Sequence, residues 1–364
     1  MSRRVVLLGA GHAQLSVLGA LARQRLPAAE VTLVTLFDHM LYSGMVPGLV
    51  ARRFTEADCT IDIAALARAA GVRLHLGRAV ALDAAAQSVT LADGERIAYD
   101  VLSLNTGPTQ DRDRIAGARE HALFVRPLAP FIALWHRTRE LARQRPLAVV
   151  VVGNGAAGFE LALAVRRDFG ARASVTMIAD GPLLPTYPDN VRARAARALK
   201  RANVQVLPGR CTAVDARHVE IGAMRVACDV PILATGGDPP SWLASSGLAL
   251  DAAGLVRVGA TLQSASHPQV LATGDVSVND SAAYARNGVY AVRVGPVLAH
   301  NLRRLAGGGE PKPYRPQARA LNLLALGDGR AIASWGDWAA QGRLMGWWKD
   351  RIDRAFIARW RVNG

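Results

Sequence analysis

Short uninterrupted runs of apolar residues, each ending in glycine, recur along the chain, and two of them are near copies. Val5-Val6-Leu7-Leu8-Gly9-Ala10-Gly11-His12-Ala13 returns 144 positions later as Val149-Val150-Val151-Val152-Gly153-Asn154-Gly155-Ala156-Ala157-Gly158. An apolar run without alternation that enters a glycine turn predicts a strand buried on both faces and followed by a helix. The same offset of 144 relates Val31-Thr32-Leu33-Val34-Thr35 to Val175-Thr176-Met177-Ile178-Ala179, the predicted second strand of each unit. Further on, Asp100-Val101-Leu102-Ser103-Leu104-Asn105-Thr106-Gly107 is echoed by Asp229-Val230-Pro231-Ile232-Leu233-Ala234-Thr235-Gly236. Each predicts a late strand of a parallel sheet, ending in small residues at the carboxyl edge where such sheets bind ligands. Val72 to Arg78 and Val204 to Arg210 form another matched pair, so two homologous halves are the simplest account.

The glycines point to phosphate chemistry. The first turns the chain, the second lets backbone N–H groups approach a pyrophosphate, and the helix that follows offers a positive N-terminus. A single motif of this kind describes an ordinary turn equally well; its duplication favours two dinucleotide sites. Between the halves, Asp93-Gly94 predicts a hairpin turn, and the stretch from Pro108 to Pro146 contains an Arg- and Leu-rich helix. Gly307-Gly308-Gly309 and Pro311-Lys312-Pro313 mark a break before a C-terminal module. There, Leu344, Trp348, Ile352, Phe356 and Trp360 recur at four-residue spacing with Arg351, Arg354, Arg359 and Arg361 among the polar positions. This reads as one helical stripe, suited to packing on the first domain, to a homodimer mate or to a membrane interface.

The 51% hydrophobic content over 364 residues is ample for packed cores. The net charge of +15 invites a nucleic-acid reading, but the arginines are dispersed, lysine occurs only at 200, 312 and 349, and no nucleic-acid motif is present. No apolar run reaches the roughly 20 residues of a spanning helix. The basic, apolar N-terminus imitates a secretion signal, yet Gly9-Ala10-Gly11 places that run inside a strand. The expected location is therefore cytoplasmic, including the inner face of the membrane. Cys59, Cys211 and Cys228 are too far apart in sequence for a C-x-x-C pair or a metal-ligand pattern, so neither a dithiol centre nor a metal site is expected.

Val270-Leu271-Ala272-Thr273-Gly274-Asp275-Val276, with the two glycine turns, resembles the flavoproteins that carry two dinucleotide-binding domains, specifically the type II NADH dehydrogenase-like branch. Gly11-His12-Ala13, Tyr42-Ser43-Gly44-Met45-Val46-Pro47-Gly48, Gly295-Pro296 and Trp348-Lys349-Asp350-Arg351-Ile352-Asp353-Arg354 resemble most closely the oxidoreductase domain fused ahead of selenophosphate synthetase in some bacteria. The fold implied is α/β, with two Rossmann-like domains, the second inserted in the first, and a small C-terminal module. Residues 1–108 and 259–312 would bind FAD, 109–146 would connect, 147–258 would bind NAD(P)H, and 313–364 would form the module.

By that resemblance FAD contacts Gly9, Gly11, His12, Ala13, Thr35, Met45, Asn105, Thr106, Gly107, Gly274 and Asp275, with Gly288 and Val289 at the pyrimidine edge. NAD(P)H contacts Gly153, Gly155, Gly158, Asp180, Thr235 and Gly236, and Glu160 is the catalytic residue, orienting the nicotinamide or relaying a proton. Three departures qualify the resemblance. The acids that usually hold ribose are replaced by Thr35 and Ala179, with Asp180 one residue later favouring NADH over NADPH; Gln14 stands where close packing asks for a third glycine; and the quinone-site glutamines are missing around Tyr290-Ala291-Val292-Arg293. The expected activity is transfer of hydride from NADH to flavin and of electrons to a small-molecule acceptor, a quinone or a selenium or sulfur compound. Two alternatives stay open: a sulfide:quinone reductase-like enzyme, and a flavin-bearing sensor with negligible turnover.

Overall fold

The computed structural model describes residues 2–362. Two five-stranded parallel sheets carry the fold. In the first the strands run in the order Val270–Ala272, Val101–Leu104, Arg3–Leu8, Ala29–Thr35, Arg73–Leu76; in the second, Leu123–Phe124, Val230–Leu233, Leu147–Val152, Ala173–Ala179, Val204–Pro208. The repeat seen in sequence is a repeat of register. Val5 pairs with Val31 and Val149 with Val175, while Gly9 N–H donates to Val34 O at 2.8 Å and Gly153 N–H to Ile178 O at 2.9 Å. The paired aspartates are equivalent as well, since a carboxylate oxygen of Asp100 accepts from Arg4 N–H and one of Asp229 from Ala148 N–H, both at 2.7 Å. Each thereby satisfies a backbone donor at the open end of a buried strand. Each half also carries an antiparallel three-stranded meander, 79–98 and 211–227.

Strand Leu123–Phe124, from the stretch expected only to connect, joins the edge of the second sheet before the 17-residue helix Leu128–Gln144. Gln14 takes the place of the missing glycine by a different route. It is fully buried; its Nε2 donates to Ser103 O at 3.0 Å and its Oε1 accepts from Ser103 Oγ at 3.2 Å, so a hydrogen-bonded amide bridges helix His12–Arg23 to strand Val101–Leu104. On the other side of that helix runs Gly288–Ala306, and a Cβ on Gly295 would lie 2.4 Å from Ser16 Oγ. Close helix crossing is what the Gly295-Pro296 pair permits.

The C-terminal module is a three-stranded antiparallel sheet over residues 322–342 followed by helix Arg343–Arg359. The predicted stripe is real as a helix but does not form one face. With 3.6 residues per turn, a four-residue step advances about 40° around the axis, so five such positions wind through about 160°. Leu344 is accordingly 67% exposed, whereas Trp360 is 4% exposed and its ring lies against Gly19.

Candidate functional site

The first glycine turn meets two loops at the carboxyl edge of its sheet. Gly11 N–H donates to Asn105 O at 3.2 Å, and Asn105 Nδ2 donates to Thr273 O at 2.8 Å and Thr273 Oγ1 at 3.2 Å. Gly9, Gly11, Asn105, Thr106 and Gly274 are thus joined; Gly9, at φ +90°, turns the chain as expected, and close packing adds a second reason for glycine. A Cβ on Gly9 would fall 2.4 Å from Thr106 Cα and one on Gly11 2.3 Å from Asn105 Oδ1, so both glycines admit the neighbouring loop. Helix His12–Arg23, with Ala13 buried in its first turn, has no side-chain cap at its N-terminus. Gln14 N–H is taken by Asn105 Oδ1 at 3.4 Å, and the N–H groups of His12 and Ala13 remain available to an anion.

Gly107, at φ +72°, has open space where a side chain would go, as does Gly288. Asp275 is half-buried beside Arg126, whose guanidinium stands 4.0 Å away. His12 presents a buried, unpartnered Nε2; burial and then the charge of Arg126 lower its pKa to about 4, leaving a neutral imidazole. At the start of helix Gly288–Ala306, where Gly288 and Val289 are expected at the pyrimidine edge, Asn287 Oδ1 accepts from Val289 N–H at 3.1 Å and from Tyr290 N–H at 3.3 Å. Thr35 offers its carbonyl to Gly77 N–H, and Met45, within the Tyr42–Gly48 segment, is fully buried. An open, uncapped helix start, glycines with room beside them and an orphaned polar nitrogen fit a bound phosphate-bearing cofactor such as FAD.

The second turn is more open. A Cβ on Gly155 would meet nothing within 4 Å, and helix Ala156–Phe169 also begins without a side-chain cap, as a pyrophosphate there requires. Gly153 and Gly158 are packing glycines, with would-be Cβ atoms 2.3 Å from Ala234 O and 2.1 Å from Gly153 O. Asn154 Nδ2 donates to Asp180 O at 2.8 Å and Pro182 O at 3.0 Å, which ties the loop after the second strand to the turn and leaves the Asp180 residue exposed next to it. Thr235 and Gly236, the latter at φ +82°, are exposed at the same edge.

Between the halves lies a buried polar cluster that the sequence did not reveal. Glu160 Oε1 accepts from Ala325 N–H at 2.6 Å. Burial raises its pKa from 4.5 to about 7, against the opposing pulls of Lys349 and of the Ala325 N–H. Lys349, 8% exposed, donates from Nζ to Gly44 O and to Asp353 Oδ2, both at 2.7 Å. Burial works to lower its pKa, but Asp353 and Glu160 outweigh that and raise it, so the ammonium persists. Burial, and then the charge of Asp353, push the Tyr42 hydroxyl pKa far up, and the Tyr42 ring packs 4.5 Å from Phe356 and 5.7 Å from His12. The C-terminal helix therefore bolts onto the Tyr42–Gly48 segment and sets a cation beside Glu160. An i,i+4 Lys–Asp pair within an otherwise arginine-rich helix was the available sequence signal; its partners lie about 300 residues upstream.

Cys59, Cys211 and Cys228 are buried and free, and burial pushes their thiols up to about 12, 11 and 12 respectively. Little thiolate exists at neutral pH, a poor starting point for sulfur chemistry. His75, Asp93 and Glu95 bring potential ligand atoms within 4.8 Å of one another at the surface, on an edge strand and the hairpin beside it.

Residues 3–302 match the family described as pyridine nucleotide-disulphide oxidoreductase. Among curated relatives, the type II NADH:quinone oxidoreductase NdhA of Mycobacterium tuberculosis is 29% identical over 315 residues, covering 75% of this chain and 66% of its own length. Among solved structures, the sulfide:quinone oxidoreductase of Aquifex aeolicus superposes with a TM-score of 0.80 at 18% identity, covering 99% of this chain and 92% of that one. NDH2 of Plasmodium falciparum in complex with NADH also gives 0.80, at 14% identity, covering 98% and 97%. At these identities the structural likeness speaks for the fold.

Proposed function

The chain belongs to the pyridine nucleotide-disulphide oxidoreductase family, and from that premise we propose how its residues divide the work of an FAD-dependent enzyme that oxidises NAD(P)H and passes electrons to an acceptor. FAD, when bound, supplies a ring that accepts hydride. Residues 1–108 and 259–312 would hold it: the start of helix His12–Arg23 takes the pyrophosphate, Asp275 accepts from the ribityl hydroxyls, and Gly288 with the Tyr42–Gly48 segment borders the ring. Residues 147–258 would hold the nicotinamide cofactor over Gly153, Gly155 and Gly158, with Thr235 and Gly236 along it. Asp180, exposed beside that turn, repels a 2′-phosphate and so favours NADH.

Glu160 is the observation that carries the reading. A carboxyl held at about 7 next to an ammonium takes up and releases a proton near neutrality, as a general acid–base group must. Reduction of a quinone, or of an oxidised sulfur or selenium compound, consumes protons as well as electrons; Glu160 supplies one and Lys349 offsets the charge left behind. Asp353 and the Gly44 carbonyl fix Lys349 in place. The C-terminal helix docks with one face, while Leu344, Trp347, Trp348 and Ile352 stay exposed on the other with Arg351 over Trp347. Among the described residues no helix is long and apolar enough to cross a membrane. Exposed tryptophans beside arginines suit a peripheral contact with an anionic bilayer, where a lipid-soluble quinone resides, and we take quinone as the acceptor class.

The test is anaerobic stopped-flow mixing with NADH, followed by reoxidation with a panel of quinones, polysulfide and selenite. Rapid bleaching and reoxidation by quinone support the reading; polysulfide or selenite as the sole competent oxidant replaces the acceptor class. Bleaching too slow for turnover, with every oxidant inert, supports a flavin-bearing sensor, the reading favoured by Thr35 and Ala179 in place of ribose-binding acids. Buried, weakly acidic thiols count against a sulfide:quinone reductase-like enzyme.

A further inference from the structure

Four arginines, Arg52, Arg139, Arg143 and Arg172, converge with a single acid, Asp168, on a recess of about 350 Å3. The walls come from three parts of the chain. Arg52 follows the short helix Val46–Val50, Arg139 and Arg143 lie on helix Leu128–Gln144, and Asp168 and Arg172 lie at and just beyond the end of helix Ala156–Phe169. The Asp168 side chain is fully buried and already held on both oxygens, Oδ1 by Arg52 Nε and Oδ2 by Arg139 Nε at 2.6 Å. Arg139 also donates to Leu49 O at 3.1 Å and Val50 O at 2.9 Å. Arg52 reaches its position from a left-handed backbone at φ +59°, a conformation that a residue with a Cβ adopts only at a cost. The outer pair is less committed: Arg143 meets only Glu140, one turn away with both side chains exposed, and Arg172 makes no ion pair among the described residues.

Two helices end at the recess, and their carbonyl termini attract cations. That explains arginines near the helix ends. It does not explain why guanidinium groups from three segments line one concave space with a charge excess of three. We infer that this recess binds a small phosphate-bearing anion, at a site separate from both glycine turns. Guanidinium forks match phosphate oxygens two at a time, and a recess lined by one sign of charge concentrates its field on whatever enters. Arg172 is free to close on the anion and Arg143 can join it by leaving its solvent-exposed pairing with Glu140, while the Arg52–Asp168–Arg139 clamp holds the walls. Free oligophosphate and the phosphate arm of a nucleotide share this chemistry.

The experiment uses FAD-loaded protein saturated with NAD+, so that both glycine turns are filled, titrated with pyrophosphate, triphosphate and ATP by calorimetry at constant ionic strength. The expected result is one saturable site, weakened roughly tenfold or more in Arg143→Ala/Arg172→Ala and partly restored by the double lysine variant. Both variants leave the clamp on Asp168 intact, and an unchanged melting temperature confirms that they fold. ATP binding no tighter than triphosphate identifies free oligophosphate as the ligand, and tighter ATP binding identifies a nucleotide. Heat no greater than a chloride blank, or an affinity unmoved by the double alanine substitution, overturns the inference.

Discussion

Glu160→Gln should remove a pH dependence from the stability of the protein. The folded carboxyl ionises at about 7 and the ordinary value is 4.5, the difference arising first from burial. Because the folded-state pKa is the higher, the favourable contribution is fully present below 4.5 and is lost as pH rises through about 7. Each pKa unit corresponds to about 1.36 kcal/mol, so wild-type protein loses up to about 3 kcal/mol across this interval. For 364 residues, with an unfolding entropy of about 2.1 cal/mol/K per residue, that loss lowers the melting temperature by about 4 °C. Glutamine keeps an oxygen to accept from Ala325 N–H and differs little in volume, so titration is the property removed. Melting temperatures of FAD-loaded wild type and variant, followed by circular dichroism from acid to mildly alkaline pH, should therefore diverge with the variant falling less. Parallel curves would refute the reasoning. A kinetic arm uses the same protein: flavin reduction at saturating NADH should slow more than FAD retention weakens, and a rate limb falling above about 7 in wild type should be absent in the variant.

Asp275→Ala should weaken FAD binding by roughly ten- to a hundredfold, the worth of one charge-assisted hydrogen bond or more, read as the flavin-to-protein absorbance ratio after gel filtration; an unchanged ratio argues against the ribityl role. Asp180→Ala should raise the efficiency with NADPH relative to NADH by about fivefold, the scale of a like-charge contact near water, measured as the ratio of kcat/KM values. Trp347→Ser/Trp348→Ser leaves the docked face of the C-terminal helix untouched and should abolish flotation on anionic liposomes; wild-type protein that fails to float removes the membrane contact and leaves a second copy of the chain as the partner for that face.

What could be read from sequence, and what could not, divides along the range of the interactions. The parallel strands were legible because burial on both faces leaves an uninterrupted signature, Val5 to Leu8 and Val149 to Val152, and a repeat then fixes which strands correspond. The aspartates at 100 and 229 were visible as a repeat, but their purpose, satisfying the opening N–H of the neighbouring strand, needs the register. Gln14 shows the limit of motif reasoning. The motif asks for close packing at that position, and an amide bonded to Ser103 meets the demand by a means that the pattern does not encode. Four-residue spacing misled at the C-terminus because it drifts about 40° per step around a helix, so Leu344 and Trp360 belong to different environments.

The polar core between the halves was illegible for another reason. Glu160 stood out by its place in a motif, yet its pKa near neutrality is a balance between burial, which raises it, and Lys349, which holds it down and whose other contacts are Gly44 and Asp353. No local rule links those positions: the Lys349–Asp353 spacing marks a pair but not its distant partners, and in a chain rich in arginine the four guanidinium groups around Asp168 do not differ from composition until the chain is folded. Chemistry in this protein therefore depends on the C-terminal helix as much as on the glycine turns. The turns place two dinucleotides, whereas the helix helps to decide how acidic Glu160 is, and a truncation that spares every cofactor motif still removes the cation that keeps that value within reach of neutral pH.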